Sequence, residues 1–364
     1  MFAKRLKKKL FEKKLFTVSI LFATITTLIL RKNPIGYLRV DEFRILWILF
    51  VMMIVNAGLE RSGALDFLGR KIGSFAKDTR MLSVFMILLT AIMAPFVTND
   101  VALIVIVPLT VKIAKLSGFD PVWTIVFESV TANAASSLTP FGNPQNIYIY
   151  THYKVHALEF MSITPWFVLL SVSIVILSVF FTRKKPMRVG LKKETLDGKW
   201  LIYLISLATM ILSILKLMDV YVVGVIIVGY ILIFERSLFK KVDYFLLGTF
   251  VAFFVFSGNI GSTPVLGSLK HLLSNGKNVF AASALLSQVT SNVPAAIILS
   301  KFTKNWRSLL LGTNVGGFGT IVASLANLIA FSVYRRNFDG KYMKKFHSYS
   351  LALFGFTALF FLFF

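Results

Sequence analysis

Apolar runs long enough to cross a bilayer recur along this chain, at Leu15–Leu30, Trp166–Phe181, Trp200–Leu215, Val220–Phe234 and Leu351–Phe364. Stretches this long and this frequent are buried in lipid or against one another, which makes the chain a polytopic membrane protein. Lipid offers no hydrogen bonds, so each span must satisfy its own backbone; the expected fold class is all-α. Composition agrees: 56% of the 364 residues are hydrophobic and 15% charged, against about 25% charged in soluble domains. No segment is large enough to be a separate soluble domain. The chain has no Cys, which excludes disulfides and Cys-based metal sites.

A net charge of +24 would suggest nucleic acid in a soluble protein. Here the basic residues gather at Lys4–Lys14, Arg183–Lys199, Arg236–Lys241 and Arg335–Lys345, between apolar spans, where cytoplasmic loops collect them. That placement argues for orientation and attraction to anionic lipid, with no nucleic-acid partner. The first apolar span follows a basic stretch and has no small-residue cleavage site after it. It reads as a retained helix of a multi-pass protein in the cell membrane.

Threaded from a cytoplasmic N-terminus, the chain makes about nine crossings and two re-entrant hairpins, at 81–115 and 278–302. Four regions follow: 1–40, a basic N-terminus and first helix; 41–182, a first repeat; 183–242, a basic cytoplasmic linker with connecting helices; and 243–364, a second repeat. Most of the 40 Lys and Arg then lie inside, with Lys301, Lys304 and Arg307 on the other side.

The hairpins are read from polar groups inside apolar spans. "PFVTNDVALIVIVP", Pro95–Pro108, carries Thr98, Asn99 and Asp100 at its middle. Its echo is "SNVPAAIIL", Ser291–Leu299, which pairs Thr98 with Ser291 and Asn99 with Asn292. A shift by one residue also aligns; the first register is preferred because it matches a hydroxyl-Asn dipeptide followed by a small apolar run. Behind the tips lie "ANAASSLTPFGNPQN" (Ala132–Asn146) and "TNVGGFGTIVASLAN" (Thr313–Asn327). One constant offset pairs Asn133 with Asn314, Thr139 with Thr320 and Asn146 with Asn327.

An odd number of crossings separates the hairpins, so the halves have opposite topology. Inverted repeats with interrupted helices at matching positions point to a transporter site at the midplane. A broken helix exposes N–H groups at one half, which attract anions, and C=O groups at the other, which suit a hard cation. Gly142, Gly316, Gly317 and Gly319 allow the turns.

These paired hairpin tips, with "SSLTPFGNPQN" and "NVGGFGTIVASLAN" behind them, resemble the ion transporter superfamily over about Arg44 to Phe331. That group includes citrate-transporter-like permeases, divalent-anion/sodium symporters, arsenite permeases and some sodium/proton antiporters. The resemblance implies an elevator-type secondary transporter of a small anion (dicarboxylate, citrate or arsenite), a homodimer with no cofactor beyond a coupling Na⁺ or H⁺. It implies solute contact at Asn99, Asn292, Pro144, Asn146, Asn327 and Thr320. Cation coupling would fall to Thr98, Asn99, Asp100, Ser291 and Asn292 at the tips. Ser137, Thr139, Gly142, Asn143, Gly317, Gly319 and Ser324 would supply the rest from the broken segments. The symporter pattern is Ser-Asn-Thr in both tips, whereas this chain has Thr-Asn-Asp and Ser-Asn-Val. Asp100 looks more like the arsenite-permease and antiporter branches.

Asp100 is also a candidate helix cap, but its depth favours function. Glu128, seven residues before its broken segment, is a second candidate proton site, with an ion pair as the plain alternative. Glu60 and Arg61 read as an interfacial charged stretch. His152, His156, His271 and His347 read as solvated loop residues. A membrane enzyme has no support, since the chain lacks HExxH and GxSxG. Sodium/proton antiport is the runner-up, and an ion channel, which also uses re-entrant hairpins, stands behind it.

Overall fold

A computed structural model describes residues 2–31, 33–37, 40–73, 75–187, 197–261 and 270–363. Among them are 17 α-helices and no β-strand. Four helical stretches are long and apolar enough to cross a membrane: Val40–Arg61, Thr79–Val97, Ala157–Val179 and Tyr342–Phe363. Phe16–Leu30, Trp200–Ile214, Val220–Phe234 and Tyr244–Ile260 are shorter apolar helices.

One group of helices forms a frame. α1 (Phe2–Leu30) packs along α12 (Tyr244–Ile260), and α2 (Val40–Arg61) packs against α10 (Trp200–Ile214) and α11 (Val220–Phe234). α1 begins at Phe2, so the basic stretch expected before the first crossing continues that helix. The frame is pinned at one end by Glu235, just after α11, whose buried carboxylate pairs with Arg61 at 2.9 Å and with Lys199. That carboxylate raises the Lys199 ammonium pKa.

The second group holds the polar interruptions. After α3 (Ala64–Gly73), α4 (Thr79–Val97) and α5 (Asn99–Leu116) form a hairpin with Thr98 between them. α6 (Val122–Ser136) and α7 (Pro144–His152) are the halves of a broken helix behind it. α8 (Ala157–Met161) and α9 (Pro165–Val179) lead away. The pattern recurs with α13 (Gly276–Thr290) and α14 (Asn292–Ser300) around Ser291, then α15 (Trp306–Val315) and α16 (Leu325–Arg335). α17 (Tyr342–Phe363) packs over the second group. The nine residues of α14 rise about 14 Å, against about 30 Å of hydrocarbon, so such an arm ends inside the protein.

The two tips share one unusual backbone conformation: Thr98 at φ 72°, ψ 151° and Ser291 at φ 77°, ψ 156°. The backbone thus pairs Thr98 with Ser291. This region is nearly restricted to glycine and costs on the order of 1–3 kcal/mol for a side-chain-bearing residue. Thr and Ser stand there although Gly would relax the chain, and the Ser291 hydroxyl donates to Ala323 O.

The histidines depart from the sequence reading. His152 lies in α7 stacked on Tyr148, and His347 lies in α17, bonded at Nδ1 to Met343 O and at Nε2 to the Ile321 N–H. Both serve packing where a solvated loop was expected.

The tip strain gives a first prediction. Thr98→Gly should leave the melting temperature of the purified protein unchanged or higher while lowering transport, because strain and hydroxyl leave together. Thermal unfolding alongside proteoliposome flux reads both; a lower melting temperature would show that the threonine stabilises the tip.

Candidate functional site

An unbroken helix would bond the Asn99 N–H to the carbonyl of Pro95, four residues back. The left-handed tip prevents it. The Asn99 N–H instead donates to Gly142 O at 3.0 Å, and the abandoned Pro95 carbonyl accepts from Thr139 Oγ1 at 2.6 Å. The second half repeats this exchange. The Asn292 N–H donates to Ala323 O at 3.0 Å, and the Gln288 carbonyl accepts from Thr320 Oγ1 at 2.8 Å. Each hairpin is therefore docked on its broken helix by a swapped backbone partner and a threonine substitute.

The broken ends are closed by asparagines. Asn146 Nδ2 donates to the carbonyls of Ser136, Ser137 and Thr139, while Asn327 Nδ2 donates to those of Gly317 and Thr320. The halves then clasp each other: Asn133 Nδ2 donates to Asn327 Oδ1 at 2.7 Å, and Asn314 Nδ2 donates to Asn146 Oδ1 at 2.9 Å. Asn99 Nδ2 joins through Asn133 Oδ1 at 3.1 Å. Gly142 is forced, since a Cβ there would lie 2.1 Å from Ser136 O. Gly319 sits at φ +89° against Gln288, whose Oε1 accepts from the Thr320 N–H.

In front of this network is a cavity where α5, α7, α14 and α16 all begin. Of the residues singled out from sequence, Asn99, Asp100, Pro144, Ser291, Asn292 and Ser324 line it. Thr98 lines an adjoining cavity that also reaches Asp100. The sequence reading missed Gln145, Asp243, Leu246 and Thr249 on its wall. Asp243 caps α12 by accepting from the Leu246 N–H, so an acid just before an apolar run was its available signal. With α12, whose cap Asp243 lines the wall, five N-termini meet here; those of α14 and α16 carry no side-chain cap hydrogen bond, and at α5 Asn99 Oδ1 accepts from the Asp100 N–H. Asn143 does cap α7.

Other candidates stand elsewhere. Asn146, Asn327 and Thr320, read as solute contacts, lie behind the wall, with their donors committed to carbonyls. Ser137 Oγ is bonded to Ala134 O, and Gly317 O is taken by Asn327. Glu60, read as interfacial, pairs with Lys241 at 3.7 Å on the rim of the adjoining cavity. Glu128 is fully buried in α6, and its Oε1 accepts from Thr110 Oγ1 on α5; the ion pair weighed for it is not among the described contacts.

Half-helix ends gathered around a cavity, deep in an apolar helical protein, define a solute transporter rather than an enzyme. The profile of the citrate transporter family matches residues 10–306, and the chain belongs to that family. It is 32% identical to an uncharacterized transporter, MJ0456, of Methanocaldococcus jannaschii, over 84% of this chain and 85% of that one. It is 33% identical to the inner membrane protein YbiR of Escherichia coli, over 85% of this chain and 83% of that one. The fold matches the Alcanivorax borkumensis YdaH transporter, with a TM-score of 0.57 and 13% identity over 96% of this chain and 97% of that one. The protein is thus an integral membrane transporter of a small solute.

The clasp gives a second prediction. Asn133→Ala and Asn327→Ala should each destabilise the protein by about 1–3 kcal/mol, as expected when buried partners are orphaned. Their double-mutant cycle should show a coupling of about 0.5–3 kcal/mol by chemical unfolding in detergent. Strict additivity would dissolve the clasp.

Proposed function

We propose that the protein is a secondary transporter of a small anion, coupled to Na⁺ or H⁺, in which the hairpins and broken helices move as one unit against the frame. The observation that carries this is the convergence of five helix N-termini on one cavity, those of α14 and α16 without side-chain caps. Converging N-termini present partial positive charge, which favours an anion, although the Asn99, Asp100 and Asn292 N–H groups are themselves bonded. Asp100 and Asp243 share that wall, and two carboxylates beside an anion call for a cation between them. The hydroxyl, amide and carboxylate oxygens of Thr98, Ser291, Asn99, Asn292 and Asp100 are hard donors of the kind Na⁺ accepts.

Matching docks support a repeat, which we take as inverted: hairpin one enters from the cytoplasm, hairpin two from outside, and the N-terminus lies inside. The family description favours citrate or a related carboxylate as solute. A homodimer, with no cofactor beyond the coupling ion, completes the proposal.

The direct test is accumulation in proteoliposomes of citrate, succinate or arsenite under imposed Na⁺ and pH gradients. Gradient-driven accumulation of one of them is the expected result. Bare Na⁺/H⁺ exchange without solute uptake would favour an antiporter, and downhill flux indifferent to any ion gradient a channel.

Two variant predictions follow. Asn99→Ala and Asn292→Ala should abolish accumulation while inserting at normal yield; near-normal uptake by either would remove that residue from the site. Lys115→Cys and Lys301→Cys, in a chain with no native Cys, should label from opposite sides of the membrane. Labelling from one side would refute the inverted arrangement.

A further inference from the structure

Glu128 is a carboxyl that the fold does not require. The offset relating Asn133 to Asn314 places Leu309 opposite Glu128, and Leu309 is also fully buried. The second half thus fills the corresponding place with an apolar side chain. In the first half the same place holds an acid whose Oε1 accepts from Thr110 and whose buried Oε2 has no hydrogen-bond partner.

No ion pair is made to Glu128 among the described residues. On α17, Tyr342 lies within electrostatic reach of it, and Tyr349, about two turns along, packs against Phe127. From α16 comes Tyr334, bonded to Asp120. Among the cations of the surrounding elements, Arg335, Lys341 and Lys344 are exposed and several others have partners of their own. Lys345 lies over the Trp123 ring, Lys115 bonds Asn337, Arg80 bonds the Thr182 carbonyl and Arg307 pairs with Glu159. Lys112 of α5 is exposed, and α9 carries no charged residue. A lone carboxylate in such surroundings is costly, whereas a neutral carboxylic acid is tolerable.

The position ties this acid to the site. Thr110 belongs to α5, whose first residue is the tip Asn99. Ser129, next to Glu128, donates to Asn327 Oδ1 at 2.9 Å, the same oxygen that accepts from Asn133, which in turn holds Asn99. Movement of this bonded unit against the frame therefore carries Glu128 and the hairpin tip together.

Resting on the transporter reading above, we propose that Glu128 carries the coupling proton: one H⁺ adds to its carboxylate on one side, crosses as the neutral acid while α5 and α6 stay packed and move together against the frame, and leaves on the other side once that unit has carried it there. No bond other than the carboxyl O–H forms or breaks.

Infrared difference titration of the purified full chain in detergent tests the protonation without any solute. At neutral pH the wild type should show a protonated-carboxyl C=O band that is missing in Glu128→Gln. In proteoliposomes with citrate, succinate and arsenite as probes, Glu128→Gln should cut accumulation driven by a pH gradient by about tenfold or more. Exchange of the same solute at equal pH should stay within about twofold of wild type, and Glu128→Asp should restore part of the accumulation. The proposal is overturned by absence of the band in the wild type, by its survival in Glu128→Gln, or by undiminished accumulation in that variant. Equal loss of exchange and accumulation also overturns it, since that would mark a structural residue. With the band present and lost as expected, failure of wild type to accumulate all three solutes would count against the solute class and not against Glu128.

Discussion

Everything in this protein depends on where two backbone N–H groups go. Breaking a helix at Asn99 and at Asn292 strands an N–H and a C=O at each point, in a setting where water cannot take them. The chain solves both breaks alike: the N–H crosses to Gly142 or Ala323, and Thr139 or Thr320 replaces it on the abandoned carbonyl. Each dock fixes a hairpin on a broken helix, and the clasp of Asn133, Asn146, Asn314 and Asn327 fixes one half on the other. The same bonds that satisfy the interior leave the N-terminal ends of α5, α7, α14 and α16 facing one cavity.

Much of this was legible in the sequence. Polar dipeptides inside apolar spans mark hairpin tips because lipid tolerates them nowhere else, and Thr98-Asn99 and Ser291-Asn292 are indeed the points of turning. Less legible was which amide faces the cavity and which faces backbone. Asn99 and Asn146 look alike as letters, yet one lines the cavity and the other closes a helix end. The number of stranded carbonyls decides that, and it depends on where α6 stops. Thr249 was hidden for another reason: it lies on α12, a span that reads as plain apolar helix, and only its packing turns one face toward the cavity.

The halves also differ where chemistry calls for it. Asp100 has Val293 as its counterpart, and Glu128 has Leu309. Both acids belong to the first half, although the docking bonds are matched almost atom for atom. A symmetric frame with acids on one side suits a solute site shared by both halves and ion handling assigned to one.

The central claim is that hairpins and broken helices form one rigid body. The chain has no Cys, so spin labels can be placed in pairs at Leu116 on α5, Val289 on α13 and Leu217 beyond α10, all exposed positions. Distances measured by double electron–electron resonance, with and without a Na⁺ or pH change, separate the alternatives. The account predicts one narrow Leu116–Val289 distribution throughout, with Leu116–Leu217 shifting between two populations. A Leu116–Val289 distance that changes while Leu116–Leu217 stays fixed would mean that the hairpins open separately as gates, and would contradict it.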